Sequence, residues 1–151
     1  MAQLLSWTAD LSVGIDAIDD QHKRIVHYIN QLHEARLTQD RNDVAAVIEG
    51  LVDYTLSHFR FEEAMLQKAL YPMLPVHKKV HRLFIRRISD YQQRFALGND
   101  VAEELLITLV KWLGNHIKCE DMDYSPIVRA RISEADLRQL KKGKSDSPQR
   151  P

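Results

Sequence analysis

Residues 44–65 read VAAVIEGLVDYTLSHFRFEEAM. Within them Val44, Ile48, Leu51, Thr55, His58, Glu62 and Met65 recur at alternating steps of three and four, which draws one stripe along an α-helix. The same period returns three times elsewhere. Ile15, Ile18, His22, Ile25, Ile29 and Leu32 form one stripe. Leu74, His77, His81, Phe84, Ile88, Tyr91 and Phe95 form another, and Ala102, Leu105, Leu109, Trp112, His116 and Cys119 the last. Charged residues take the opposite faces, so each segment reads as an amphipathic helix. Proline occurs only at 72, 75, 126, 148 and 151, which leaves 1–71 and 76–125 free of a residue that costs about 3 kcal/mol inside a helix.

The breaks have local causes. Asp19 or Asp20 supplies capping or negative charge at the start of the first helix, and polar residues 38–43 form the first loop. Tyr71-Pro72-Met73-Leu74-Pro75 separates the second and third helices, because proline also disfavours helical geometry in its predecessor. Gly98-Asn99-Asp100 reads as a C-cap glycine followed by an N-cap, and the fourth helix is expected to fade between Asp121 and Pro126. Short connections between long helices predict an all-α, antiparallel up-down-up-down four-helix bundle. Residues 15–130 form that bundle, 1–14 an extended N-terminal arm containing Trp7, and 131–151 a short helix through Leu140 followed by a disordered tail.

Composition bounds the function. The 151 residues carry 21 Lys and Arg against 21 Asp and Glu, so the neutral chain does not read as a nucleic-acid binder. With 44% hydrophobic and 28% charged residues it reads as a folded single domain. No apolar run reaches the roughly 20 residues that span a bilayer. The N-terminus has no basic n-region, and the single cysteine, Cys119, excludes a disulfide framework. A cytoplasmic monomer without stable membrane insertion is the expectation.

Polar residues inside the stripes break the pattern. His22, His58, Glu62, His77, His81 and His116 occupy positions where a bundle core takes Leu or Ile. A single such histidine is best explained as a hydrogen-bonded core residue. Six on four stripes is different, because a buried polar group without a partner costs roughly 1–3 kcal/mol and a buried charge more. His22 opens the first helix, His58 and Glu62 close the second, His77 and His81 open the third, and His116 closes the fourth. In an up-down-up-down bundle those ends coincide, so the residues converge in one layer.

The pairs His58/Glu62 and His77/His81 are each four apart, about 40° around a helix, and can reach one point. Neutral imidazoles facing one another suit a metal, and an acidic residue balances its charge. Five histidines exceed one tetrahedral ion, which points to two metals. Asp121 is the candidate seventh ligand. It lies five residues past His116, about 140° away on an ideal helix, and reaches the layer only if the helix end loosens or carries a π-type turn.

His58-Phe59-Arg60-Phe61-Glu62-Glu63, Tyr71-Pro72 and His77-Lys78-Lys79-Val80-His81 resemble the hemerythrin family in its single-domain bacterial form. Asp19-Asp20-Gln21-His22 and His116-Ile117-Lys118-Cys119-Glu120-Asp121 extend the likeness over about residues 4 to 130. The resemblance implies a non-haem di-iron centre, with His77, His81 and His116 on one iron and His22 and His58 on the second. Glu62 and Asp121 would bridge them beside an oxo or hydroxo group, and dioxygen would bind reversibly at the position left open on the second iron.

Helix geometry places Ile25 three residues after His22, Phe59 beside His58, and Trp112 and Leu113 four and three before His116. These four are expected to wall the oxygen pocket, a role that ordinary core packing can share. His27 and His33 fall off the stripe and are expected on the surface, and Cys119 is expected to be an inert small hydrophobe. From 131 to 151, six basic and three acidic residues suit a solvated tail rather than a docking element. An oxygen carrier or store, not an enzyme, is the leading reading. A sensor acting through a separate partner, a di-iron enzyme handling peroxide or nitric oxide, and a structural zinc pair are its rivals. The nitrogen-rich set favours the carrier over ferritin-like oxidases, which use mostly carboxylates and paired Glu-x-x-His elements.

Overall fold

Asp40 shows how the sequence sets a helix boundary. Its Oδ1 accepts the backbone N–H groups of Asn42 at 2.8 Å and Asp43 at 3.4 Å, capping a helix that begins at once. The computed structural model describes residues 4–146, with the side chains of 143–146 left out. The order is α1 (Asp16–Thr38), α2 (Arg41–Lys68), α3 (Leu74–Ala96) and α4 (Ala102–Asn115), then a π-turn (His116–Asp121), α5 (Met122–Arg131) and α6 (Glu134–Asp146). No strand occurs among the described residues.

The chain is all-α, as the periodicity predicts. α1 packs against α2 and α4, and α2 also packs against α3. Larger side chains close the ring between α3 and α4, where the Tyr91 and Thr108 hydroxyls lie 2.7 Å apart and Phe84 stacks on Trp112 at 3.9 Å. Pro75 occupies the first turn of α3, where its missing N–H has no partner to lose. Past α3, Gly98 adopts φ +101°, and the Asn99 N–H returns to the Arg94 carbonyl at 3.1 Å.

Three sequence expectations need correction. The first loop shrinks to Gln39-Asp40, because the Asp40 cap starts α2 earlier than its polar composition suggests. The fourth helical segment does not fade before Pro126. It runs through the π-turn into α5 with the proline inside. Proline there costs about 3 kcal/mol. The buried Tyr124, Val128 and Ile132 offset that, since burying such a side chain contributes about 1.5–3 kcal/mol. α6 continues past Leu140 to Asp146, carried by Lys141 and Lys142, which are good helix formers. The rest of the expected tail, 147–151, lies outside the described residues. Asp19 supplies the expected negative charge in the first turn of α1, while the N-cap is Ile15 and no side chain caps the helix. Its carboxylate accepts the Ser12 hydroxyl at 2.5 Å and the Val13 N–H at 2.9 Å, tying the arm to the helix.

That arm is not wholly extended. It contains a 3₁₀ turn at Ala9–Leu11 and buries Leu11 and Val13, and Trp7 packs partly buried on the core. Among the described residues, no helix is long and apolar enough to cross a membrane.

Candidate metal centre

His22, His58, Glu62, His77, His81, His116 and Asp121 all lie buried in one layer. α1 supplies the first, α2 the next two, α3 the two after that, and the π-turn the last two. Each arrives by its helical phase except Asp121. The π-turn holds one residue more than an α-turn, which brings Asp121 onto the same face as His116. Their His116 Nε2 and Asp121 Oδ1 atoms are 3.1 Å apart.

The donors fall into two groups whose atoms lie within 4.8 Å of one another: Glu62, His77, His81 and His116, and then His22, His58, Glu62 and Asp121. Glu62 belongs to both. Its Oε1 faces His77 Nε2 at 2.6 Å, His81 Nε2 at 2.9 Å and His116 Nε2 at 3.5 Å. Its Oε2 faces His58 Nε2 at 3.6 Å and accepts the Tyr124 hydroxyl at 2.8 Å. Asp121 divides itself in the same way, with Oδ2 3.0 Å from His22 Nε2 and Oδ1 3.6 Å from His77 Nε2. Each carboxylate therefore addresses both groups with separate oxygens.

The His77 and Tyr124 contacts to Glu62 are hydrogen bonds, but others are close and badly aligned. His22 Nε2, His116 Nε2 and both Asp121 oxygens are buried and make no hydrogen bond. Four buried polar atoms left so would cost several kcal/mol. Two donors each about 2.1 Å from a shared ion and at right angles lie about 3 Å apart. The observed spacings near 3 Å are those of donors arranged around a third atom, and the residues fit a pair of metal ions.

Outer partners aim the rings. His58 Nδ1 donates to Gln21 Oε1 at 2.6 Å and His81 Nδ1 to Glu63 Oε2 at 2.7 Å, while His116 Nδ1 faces Glu120 Oε2 at 3.5 Å. A proton held at Nδ1 leaves the Nε2 lone pair free for an ion. Gln21, Glu63, Glu120 and Tyr124 have no assigned part in the sequence reading. Glu120 carries the one usable spacing signal, four residues past His116.

Charge follows the same geometry. Burial, reinforced by His58, holds the His22 imidazole well below its ordinary range. Burial pushes the Glu62 carboxyl up, but His116, His58, His77 and His81 outweigh it and hold the group well below the usual range. Asp121 moves the other way, raised by burial and then by the Glu62 charge. Burial would lower His116, yet Asp121, Glu120 and Glu62 lift it well above.

Of the four expected wall residues, Ile25, Phe59 and Leu113 are buried and Trp112 is half-buried. Phe59 stacks on His81 at 3.8 Å and lies 5.9 Å from the His58 ring, so it touches both groups. Trp112 stacks on His116 at 4.6 Å. His27 is exposed as expected, but His33 is half-buried with a buried, unpartnered Nδ1. Cys119 is exposed on the outer side of the π-turn rather than packed as a small hydrophobe.

Comparison with known proteins follows the same lines. Residues 13–128 match the family model described as the hemerythrin HHE cation binding domain. A bacteriohemerythrin from Pseudomonas aeruginosa is 52% identical over 134 residues, covering 89% of this chain and 87% of that protein. One from Stenotrophomonas maltophilia is 45% identical over 131 residues, covering 87% and 86%. The crystal structure of a wild-type hemerythrin superposes with a TM-score of 0.79 at 32% identity, covering 83% of this chain and 98% of that one.

Proposed function

The chain belongs to the hemerythrin family, whose domains bind dioxygen at non-haem iron, and on that premise we propose that it is a reversible oxygen carrier or store. His77, His81 and His116 would hold one iron and His22 and His58 the other, with Glu62 and Asp121 shared between them. Two ferrous ions, when bound, supply the electrons on which reversible oxygen binding draws. The observation that carries this reading is the sharing of Glu62 between a group with three imidazoles and a group with two. With Asp121 shared as well, the group holding two imidazoles would have one protein donor fewer and could take an exogenous ligand.

The remaining work falls to the protein. Gln21 and Glu63 hold two of the rings with Nε2 inward. Tyr124 donates to Glu62 Oε2 and fixes the carboxylate across the two groups. Ile25, Phe59, Trp112 and Leu113 exclude water and outside reductants, as an apolar wall must if the oxygen complex is to release its ligand unchanged. We read the protein as a binder rather than an enzyme, on the family's oxygen binding and the nitrogen-rich donor set. We place it in the cytoplasm as a monomer.

An optical spectrum of the reduced, iron-loaded protein tests the proposal. Bands that rise with air and vanish on deoxygenation are expected, and Leu113→Asp should shorten the lifetime of that form. Immediate, irreversible oxidation of the unmodified protein would overturn the carrier reading in favour of a sensor or an oxygen-consuming enzyme.

A further inference from the structure

The chain is neutral overall, yet α3 carries Lys78, Lys79, Arg82, Arg86, Arg87 and Arg94 against Asp90 alone. Arg94 is engaged by Glu104 and Asp90. The other five cations make no ion pair or hydrogen bond among the described residues. At 100° per residue, Val76, Lys79, Arg82, Leu83, Arg86 and Arg87 share an arc of about 140° on the side away from His77 and His81.

Apolar side chains are interleaved with these cations. Val76 and Leu83 are each 53% exposed, and in the turn before α3 Met73 is 51% and Leu70 78% exposed. Leu70 is held in the left-handed region at φ +56°, which is unfavourable for a residue with a Cβ. Arg131 secures that turn through the Ala69 carbonyl at 2.9 Å. The turn and the first three turns of α3 together make a strip about 20 Å long. A monomer gains nothing by exposing such a strip.

We propose that this face of α3, with the Leu70–Met73 turn, docks the chain peripherally on an anionic phospholipid surface. Cations meet the headgroups while Leu70, Met73, Val76 and Leu83 enter the boundary between headgroups and acyl chains. An acidic protein would match the cations, but the four dispersed, strongly exposed apolar side chains match a fluid apolar layer better. Docked so, the donor cluster on the opposite side of α3 lies about one helix diameter, roughly 10 Å, from the lipid. The inference does not depend on the oxygen reading.

The test is co-sedimentation of the full chain with phospholipid vesicles. Binding is expected to vesicles containing about one-third phosphatidylglycerol, to weaken as salt rises, and to be lost on pure phosphatidylcholine. Each of Lys79→Glu, Arg82→Glu and Arg86→Glu should lower partitioning by at least about fivefold. Val76→Ser with Leu83→Ser should lower it without altering the salt dependence. Lys23→Glu, on α1, should leave it unchanged, and helical circular dichroism checks that each variant folds. Binding that survives the α3 charge reversals would overturn the proposal. So would indifference to all vesicles combined with α3-dependent binding to polyglutamate, which would assign the face to an acidic protein.

Discussion

Where α1 ends and α2 begins, Ile29, Leu32, Val44, Ile48, Leu51, Leu105 and Leu109 fill the centre of the bundle. The Tyr91–Thr108 hydrogen bond is the polar exception nearby. At the other end, five imidazoles, two carboxylates and the Tyr124 phenol occupy the equivalent layer. The helices are the same and so are their phases, yet one end favours folding by excluding water and the other opposes it until ions arrive. A long bundle tolerates this because the apolar end and the aromatic layer around Phe84 and Trp112 carry the fold. Stability and chemistry are separated along the helix axis.

That separation can be broken by substitution. Glu62→Ala removes the carboxylate that faces four of the five imidazoles and should give the largest effect. Iron retained after desalting, measured by atomic emission, is expected to fall below one ion per chain, with the helical circular dichroism signal preserved. Leu51→Ala at the apolar end should do the reverse, costing about 2–5 kcal/mol in urea unfolding while iron content stays at the level of the unmodified protein. If Leu51→Ala also emptied the centre, the two ends would be one cooperative unit.

Removing metal sharpens the comparison. Ions present at about a hundredfold over their Kd contribute about 2.7 kcal/mol per site, so a chelated sample should melt several degrees lower in calorimetry. Uptake should also depend on pH. Asp121 and His116 bind their protons more tightly than such groups ordinarily do, and an incoming ion must displace them. Affinity for a cobalt(II) probe therefore weakens as pH falls and strengthens as pH rises through those raised values. Apolar-end variants should show the same pH profile as the parent. Smallest is Glu63→Gln, which keeps the hydrogen bond to His81 Nδ1 but drops the charge. Metal affinity by competition with a chromogenic chelator should fall about 10–100-fold at most, with Leu51 packing untouched.

The stripes made the four helices and the convergence of six polar residues legible, because helical phase follows from spacing alone. Asp121 was legible only as a condition on the local helix type. Nothing in His116-Ile117-Lys118-Cys119-Glu120-Asp121 forbids an ordinary α-turn, and the π-turn is selected by the buried contacts of both ends of that segment. Gln21, Glu63 and Tyr124 escaped for a related reason. Their partners sit on other helices, and the rotation of one helix against another is set by packing, not by spacing within either. The persistence of α5 through Pro126 depended in the same way on Tyr124 and Val128 finding a core to fill.

The π-turn has a consequence for how such a chain could arise. A six-residue segment closing on itself where five would suffice is an α-helix with one residue inserted. Delete one residue between His116 and Asp121, and an ordinary α-turn serves instead, with the carboxylate four residues past the imidazole, the spacing of His58 and Glu62. A residue gained in this segment is therefore absorbed within it, and Asp121 and the helix that follows keep their places against the layer.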